Sequence, residues 1–475
     1  MYIAKKTKIV ATLGPATSDK NILRRMMEEG VNVFRINFSH ADYNEVKARI
    51  AMIREIEKET GLSVAILADL QGPKLRVGVM KEEVVVQPGD QIDFCTGEKF
   101  EGTKSRVFMN YDLFPGDVKA GEHILLDDGK LMFKVISTNG KDTVTTQVVQ
   151  GGPLRSKKGV NLPNTNISLP ALTQKDKEDA VFAISLEVDW IALSFVRHSD
   201  DLKELRDLIE AHADYKIPII AKIEKPEAVV NIKQIIAHCD GLMVARGDLG
   251  VEIPAAEVPI IQKELVLAAK RARIPVIIAT QMMESMIDTL TPSRAEVNDV
   301  ANSVMDGADA VMLSGETSVG KYPVEVIQKM AAICLRVEGS ELIKVPHEPP
   351  GIRTNRFITK SVCYHAAKIA NDIEAKVICT LTNSGYTAFQ ISAWRPEAHI
   401  LVFTSNQRIL SRLNLLWGVR AYFYDKHVST DQTVDDVNQM AVEKGYAKEG
   451  DFMVNLAAMP IVERGMVNTL RISQA

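Results

Sequence analysis

The 475-residue sequence predicts an α/β protein: a (β/α)8 barrel, an all-β lid domain inserted after its third strand, and a C-terminal α/β sheet domain. Three observations predict it. Eight apolar runs of strand length are each followed by an amphipathic stretch at helical spacing. The rhythm breaks once, between about Gln71 and Gly159, where segments are short, alternating and punctuated by turn residues. A proline-rich stretch, KVPHEPPG, then separates the eight units from a second, shorter βα series.

The first three strands are read at Lys8–Gly14, Val31–Phe38 and Ser63–Leu70, with helices at Asn21–Glu29 and Asn44–Glu59 between them. Turn signals at Pro88-Gly89-Asp90, Asp127-Asp128-Gly129 and Asn139-Gly140 mark the β insertion, and Gly151-Gly152-Pro153 closes it. Five further strands follow at Trp190–Phe195, Pro218–Glu224, Gly241–Leu249, Val276–Thr280 and Asp309–Gly315, with helices such as Pro226–His238 and Ala255–Arg273. Runs apolar on both faces fit a parallel sheet covered by helices. The tail opens with a helix near Asn355–Asn371. It continues with strands at Val377–Thr382, His399–Ser405, Arg420–Asp425 and Asp451–Ala458, and ends in Val467–Ser473, read as an antiparallel edge strand. The boundaries expected are 1–70 with 159–340 for the barrel, 71–158 for the lid and 341–475 for the tail.

Composition removes several classes of function. Lys and Arg number 57 against 61 Asp and Glu, a net charge of −4, so no global basic field exists for nucleic acid or an anionic membrane. No apolar run approaches a membrane span, and no apolar segment follows the charged start, so no signal peptide is expected. Five scattered cysteines without a C-x-x-C pair exclude a disulfide scaffold and a zinc ribbon. A reduced cytoplasmic enzyme is the expectation.

In a parallel barrel the chemistry sits at the carboxyl ends of the strands. Polar residues interrupting apolar strand ends are therefore the candidates. Arg35, Asn37 and Ser39 form one alternating row, and Lys222 and Glu224 another; Asp69, Arg246-Gly247-Asp248, Thr280-Gln281 and Ser314-Gly315-Glu316 end other strands. Taken singly, each has a bland account: a structural ion network, a strand-end salt bridge, a helix N-cap at Asp248, a β-forming threonine. Their convergence on one rim favours function. Glu224 and Asp248 are hard oxygen ligands suited to Mg2+ or Mn2+, and Arg35, Arg76 and Lys222 add positive charge. Such a site suits an anionic, phosphorylated substrate, with Gly247 letting backbone N–H groups approach a carboxylate. Neither a Walker A sequence nor a dinucleotide fingerprint is present. Lys157-Lys158, where the insertion returns, reads equally as a hinge cation or a solvated charge.

These segments carry a resemblance. KIVATLGPAT (Lys8–Thr17), FRINFSH (Phe34–His40), DLQGPKLR (Asp69–Arg76), SKKGVNLP (Ser156–Pro163), AKIEKPE (Ala221–Glu227), MVARGDLGVEIP (Met243–Pro254), ATQMMESM (Ala279–Met286), TPSRAEVNDVAN (Thr291–Asn302) and VMLSGETSVGKYP (Val311–Pro323) resemble the pyruvate kinase family essentially from end to end. The resemblance implies a TIM-barrel A domain, a B lid and a regulatory C-terminal domain. It further implies transfer of the phosphoryl group of phosphoenolpyruvate to ADP, giving pyruvate and ATP in glycolysis. Lys222 resembles the lysine that stabilises the phosphoryl group in flight and the enolate, and Glu224 and Asp248 the divalent-metal ligands. Arg246, Gly247 and Asp248 resemble the substrate-carboxylate seat. Thr280 resembles the residue beside C3 in the path that protonates enolpyruvate, with a water chain near Ser314 and Glu316 as the other route. Arg35 and Arg76 would contact the transferred phosphoryl and nucleotide phosphates, and Asn37, His40 and Lys158 the nucleotide. The family also implies a homotetramer.

One departure concerns the monovalent-cation site formed in many members by Asn37, Ser39, Asp69 and the residue at Leu70. Those members carry a threonine after the aspartate and a glutamate two residues after the glycine; here the positions hold Leu70 and Lys74. This resembles the K+-independent branch, in which a fixed ammonium replaces the ion, and Asn37, Ser39 and Asp69 would then orient Arg35 and Lys74. In the tail, TNSGYT (Thr382–Thr387) resembles a loop gripping an effector phosphate through Thr382, Ser384, Gly385 and Thr387. ERGMVNT (Glu463–Thr469) keeps only part of the family pattern, and Glu463 would oppose a second phosphate. The expectation is a mono-phosphorylated effector such as a sugar monophosphate or AMP, or none, rather than fructose 1,6-bisphosphate. Two rival readings are a metal-dependent aldolase or lyase, which would need no nucleotide lid, and an effector-binding scaffold whose site has decayed.

Overall fold

The computed structural model describes residues 5–163, 165–340, 349–350, 356–426, 428–459 and 466–475, the His40 side chain excepted. The KVPHEPPG stretch and Glu463 fall largely or wholly outside them. Eight parallel strands close a barrel in sequence order: Lys8–Thr12, Val33–Asn37, Ala65–Asp69, Trp190–Leu193, Ile219–Ile223, Gly241–Ala245, Val276–Ala279 and Ala310–Leu313. The eighth returns to the first, with Lys8 opposite Ala310. Alternation sorts each strand between two environments. Ile9, Phe34, Ile66, Ile191, Ile219, Val244, Ile278 and Val311 face outward and pack with helix residues such as Met26, Ile53 and Leu205. Val10, Leu67, Trp190, Ile220, Met243, Ile277 and Met312 fill the interior. Burial on both faces is why these strands read as continuous apolar runs.

Three local readings are corrected. The sixth strand stops at Ala245, and Arg246–Glu252 is helical rather than a continuation to Leu249. Its apolar residues persist at helical spacing, so the run alone did not mark the boundary. Helix Pro226–His238 is two helices, Pro226–Val230 and Ile232–His238, broken at Asn231, whose side-chain amide donates to the Arg197 carbonyl at 3.0 Å. The row Arg35, Asn37, Ser39 ends at Asn37. Asn37 Oδ1 accepts the Ser39 N–H at 3.1 Å and starts a 3-10 turn, Phe38–His40, so Ser39 leaves the strand alternation.

Between the third and fourth barrel strands lies a six-stranded sheet with its own core, including Phe94, Phe114 and Phe133, and a separate two-stranded pair. The connections out and back are bridged at Arg76 and Gly159. The C-terminal sheet has parallel strands Val377–Leu381, His399–Thr404, Val419–Phe423 and Phe452–Ala457, and Thr469–Gln474 runs antiparallel at its edge, as the sequence suggested. This domain seals the amino end of the barrel. Phe389 and Leu415 join the interior cluster, Lys8 Nζ donates to the Val419 carbonyl at 2.8 Å, and Trp190 Nε1 donates to the Arg412 carbonyl at 3.1 Å. The opposite rim faces the lid and is left for the site. All five cysteines are free and buried. Among the described residues no helix is long and apolar enough to cross a membrane.

Candidate active site

The interior alternation that buries Val33, Leu67, Ala192 and Ile220 delivers, one pleat further, Arg35, Asp69, Ser194 and Lys222 to a single polar layer. Glu224 lies one pleat beyond Lys222. Asp69 is 1% exposed. Its Oδ2 accepts from Arg35 Nε at 2.6 Å, and its Oδ1 lies 3.1 Å from Lys222 Nζ. Lys222 Nζ is also 3.0 Å from Glu224 Oε1 and donates to Ser194 Oγ at 2.6 Å. Ser194 Oγ in turn donates to the Leu70 carbonyl at 2.6 Å. Burial opposes every one of these charges, so the pairings decide the outcome. Lys222 and Arg35 outweigh burial and hold the Asp69 carboxyl below its usual range. Asp69 and Glu224 likewise hold the Lys222 ammonium above its usual range, against burial. Glu224 goes the other way: burial raises it despite Lys222, and the nearby Asp248 charge adds to the rise.

Glu224 is oriented from a second side. Its Oε2 accepts the Phe195 N–H at 2.7 Å, and Phe195 holds a left-handed φ of 54°. Two more non-glycine residues with positive φ, Thr280 (70°) and Gln281 (55°), end the seventh strand. A β-branched residue there is strained by roughly 1–3 kcal/mol, a cost that concentrates at functional sites. Thr280 Oγ1 accepts the Gly247 N–H and donates to the Ala279 carbonyl, both at 2.6 Å. A Cβ on Gly247 would sit 3.3 Å from that oxygen, which is why the position suits glycine. The Arg246 guanidinium points away from this contact, held bidentately by Asp299 at 2.6 and 2.7 Å and donating to the Thr280 carbonyl at 2.8 Å. Arg246 therefore offers the site its backbone, and its side chain braces the loop. Half-buried Asp248 borders a cleft with Lys74, Phe195, Lys225 and Glu252, and a second with Gly247 and the lid residue Asp128.

The remaining expected residues distribute as follows. Arg76 donates to the Lys157 carbonyl at 3.0 Å, and Lys158 pairs with Asp127 at 2.9 Å, so both take lid-side partners. The Leu70 carbonyl is occupied by Ser194. Asp69 holds Arg35, and its second cation is Lys222 rather than Lys74, which is exposed at the cleft; Asn37 Oδ1 takes the Ser39 N–H. Glu316 accepts the Met283 and Ser314 N–H groups at 3.1 and 2.7 Å, pinning the loops after the last two strands, and burial raises its carboxyl. Ser194 and Phe195 were missed in the sequence. The signal was a hydroxyl two residues beyond Ala192 at a strand end, the criterion that found Lys222 and Glu224.

Among the described residues no cluster of three or more acidic, imidazole or thiol groups could hold a metal. Two mutually repelling carboxylates beside an open cleft nevertheless fit a hard divalent ion that keeps most of its coordination for water and substrate. In the C-terminal domain, Thr382, Ser384 and Thr387 line a cavity of about 470 Å3 with Arg356, Lys426 and Thr404. Gly385 takes a φ of 80° there, its N–H donating to Thr382 Oγ1 at 3.0 Å.

Comparison with known proteins covers almost the whole chain. A family model described as pyruvate kinase, barrel domain matches residues 4–327, and one described as pyruvate kinase, alpha/beta domain matches residues 360–473. The chain is 42% identical over 470 residues to a pyruvate kinase of Geobacillus stearothermophilus, covering 98% of this chain and 80% of the relative. It is 40% identical over 472 residues to a pyruvate kinase of Mycobacterium tuberculosis, covering 99% and 98%. A crystal structure of a pyruvate kinase from Cryptosporidium parvum superposes with a TM-score of 0.91 at 31% identity, covering 99% of this chain and 96% of that one.

Proposed function

The chain belongs to the pyruvate kinase family and is a phosphotransferase, and on that premise we propose that it transfers the phosphoryl group of phosphoenolpyruvate to ADP, releasing pyruvate and ATP at the pyruvate-forming step of glycolysis. The observation that carries this reading is the buried layer in which Lys222 stands between Asp69 and Glu224, with Arg35 on the far side of Asp69. A coupled assay of phosphoenolpyruvate and ADP tests it. Pyruvate release that depends on ADP supports phosphoryl transfer, whereas release without nucleotide points to the aldolase or lyase reading.

Mg2+ or Mn2+ would be held by Glu224 and Asp248, and when bound supplies positive charge to the phosphoryl and enolate oxygens. The chain's own residues do the rest. Arg35 and Lys222 place two cations where charge passes from the bridging oxygen to the phosphoryl group and the enolate, in a layer with little water to screen them. The start of helix Arg246–Glu252 would receive the substrate carboxylate through the Asp248 N–H and the Gly247 N–H, the latter shared with or taken over from Thr280 Oγ1. Thr280 stands over that backbone, beside the carbon that must be protonated. Support for Thr280 as the proton's route comes from Glu316, whose oxygens are already tied to Met283 and Ser314. Arg76 and Lys158, on the lid, with Asn37 and His40, would contact the nucleotide.

We further propose that activity needs no K+. Supporting this, Asp69, an expected ligand of that ion, already carries two internal cations, Arg35 and Lys222, and Lys74 adds an ammonium at the cleft. Turnover measured without Na+ and K+ should match turnover with K+; restoration by K+ of a rate lowered by orders of magnitude would refute it. The Thr382–Thr387 cavity is proposed to take a mono-phosphorylated effector, tested by activation with AMP, a sugar monophosphate and fructose 1,6-bisphosphate in parallel. A homotetramer is proposed from the family likeness, with the mass in solution as its check.

A further inference from the structure

Lys222 has one partner that its proposed role does not require. An ammonium carries three N–H groups, and Lys222 has three oxygens around it: Ser194 Oγ at 2.6 Å, Glu224 Oε1 at 3.0 Å and Asp69 Oδ1 at 3.1 Å. The Ser194 contact is a hydrogen bond, and the two carboxylates hold the ammonium as ion-pair partners on either side. Glu224 is equally committed, with Oε1 on Lys222 and Oε2 on the Phe195 N–H at 2.7 Å. Each carboxylate oxygen keeps a further lone pair, so a cation arriving at Glu224 need not break a hydrogen bond, but it meets the Lys222 ammonium 3.0 Å from Oε1 and competes with that charge for the carboxylate. The Phe195 N–H is backbone, fixed at a left-handed residue and packed against the third-strand loop, where even a Cβ on Gly72 would come within 2.7 Å of its ring. Lys222 is a flexible side chain. The lysine is the donor that can move.

We propose that Lys222 is the internal stand-in for the divalent ion: it neutralises Glu224 until the metal arrives, then releases that carboxylate and turns one N–H toward the phosphoryl group. Ser194 is the pivot. Its hydroxyl proton is locked on the Leu70 carbonyl, so its lone pairs stay aimed at Lys222 whether or not Glu224 is paired. Ser194 is thus a positioning residue, and Asp69 keeps the released ammonium charged. The device makes metal binding a precondition for a substrate-ready lysine, and orders assembly of the site without any movement of the barrel. This inference rests on the reading of Glu224 and Asp248 as metal ligands.

Equilibrium Mn2+ binding in the absence of substrate, read from the electron paramagnetic resonance signal of free Mn2+, tests it. Removing the competitor in Lys222→Met should tighten Mn2+ by about tenfold, within the usual range of coupling between sites. Arg35→Met removes a neighbouring cation that pairs with Asp69 rather than Glu224, and should tighten Mn2+ much less. Equal affinity in Lys222→Met and wild type, or equal tightening in the two variants, overturns the proposal. Glu224→Gln tests the underlying metal reading separately, since wild-type affinity in that variant would refute the ligand assignment whatever Lys222 does. A crystal structure of the wild-type protein with Mn2+ gives an answer that needs no variant to fold. Lys222 Nζ beyond about 4 Å from Glu224 but still hydrogen-bonded to Ser194 supports the exchange; an intact Lys222–Glu224 pair beside bound Mn2+ overturns it.

Discussion

The two ends of the barrel each bury a cluster of charges, on the same eight strands, and they resolve their imbalance in opposite ways. At the sealed end, Asp309 sits between Arg395, 3.0 Å away, and Lys270, with its Oδ2 also taking the Val276 N–H at 2.9 Å. One carboxylate faces two cations in a dry interface. Burial, and then Arg395, push the Lys270 ammonium down, so the surplus at this end is positive and closed off from solvent. At the open end, Asp69, Glu224 and Asp248 outnumber Arg35 and Lys222. There burial and Asp248 raise Glu224, and surplus negative charge invites a cation through the adjacent cleft. Buried ion pairs are thus no mark of a functional site by themselves. Sign of the excess and access from solvent separate the two ends.

The largest expected effect breaks the open end. Lys222→Met should lower kcat per folded site by about 10³-fold or more, the order expected when a preorganised charge at the reacting centre is lost. A variant that keeps more than a tenth of wild-type turnover would remove Lys222 from the chemistry. At the sealed end the same kind of truncation should do the reverse. Arg395→Met strips Asp309 of one cation and the Gly307 carbonyl of a donor at 2.6 Å, and should cost about 3–5 kcal/mol of stability with kcat per folded site preserved. Calorimetry paired with active-site titration checks this, and an activity loss without destabilisation would mean that the two ends are not separable.

That contrast also explains what was legible in the sequence. The strands were, because burial on both faces leaves uninterrupted apolar runs, and Lys222, Glu224 and Asp69 stood out as charges at their ends. Ser194 did not, since a small hydroxyl inside WIALSF disturbs the apolar pattern little. The turn at Asn37 and the helix start at Arg246 were misjudged by a few residues because the apolar spacing continued across each boundary. The outward commitment of Arg246 to Asp299, and the capture of Arg395 by Asp309, join segments distant in the chain, and no local pattern records such pairs.

A smaller effect sharpens the comparison at the open rim, where backbone strain is stored. Thr280 has a φ of 70°, which a glycine adopts freely and an alanine does not. Thr280→Gly and Thr280→Ala both delete the hydroxyl that receives the Gly247 N–H, so both should lose about 10–100-fold in kcat. Their stabilities should differ, with the glycine variant about 1 kcal/mol more stable despite its looser unfolded chain. Denaturant melts of the pair decide it; an alanine variant at least as stable would show that position 280 carries no strain.

An effect on stability alone belongs to the C-terminal side and depends on pH. His399 begins the strand His399–Thr404, its ring 5.2 Å from that of Tyr446. Burial, then Lys6 and Arg420, push its pKa down to about 4 from an ordinary 6.5. Between those two values the unfolded chain binds a proton at this site that the folded chain refuses, so the protons bound in the unfolded state exceed those in the native state and stability rises with pH. The contribution is fully present above pH 6.5 and drains away as pH falls toward 4. With the ring partly accessible, about 1–2 kcal/mol is a reasonable size. Other carboxylates titrate in the same window, so the informative quantity is the gap between wild type and His399→Phe. That gap should shift by this amount in favour of the phenylalanine variant between pH 7 and pH 4. Parallel stability curves would show that His399 takes up its proton without opening the sheet, and would leave the acid sensitivity of this end of the molecule to its carboxylates.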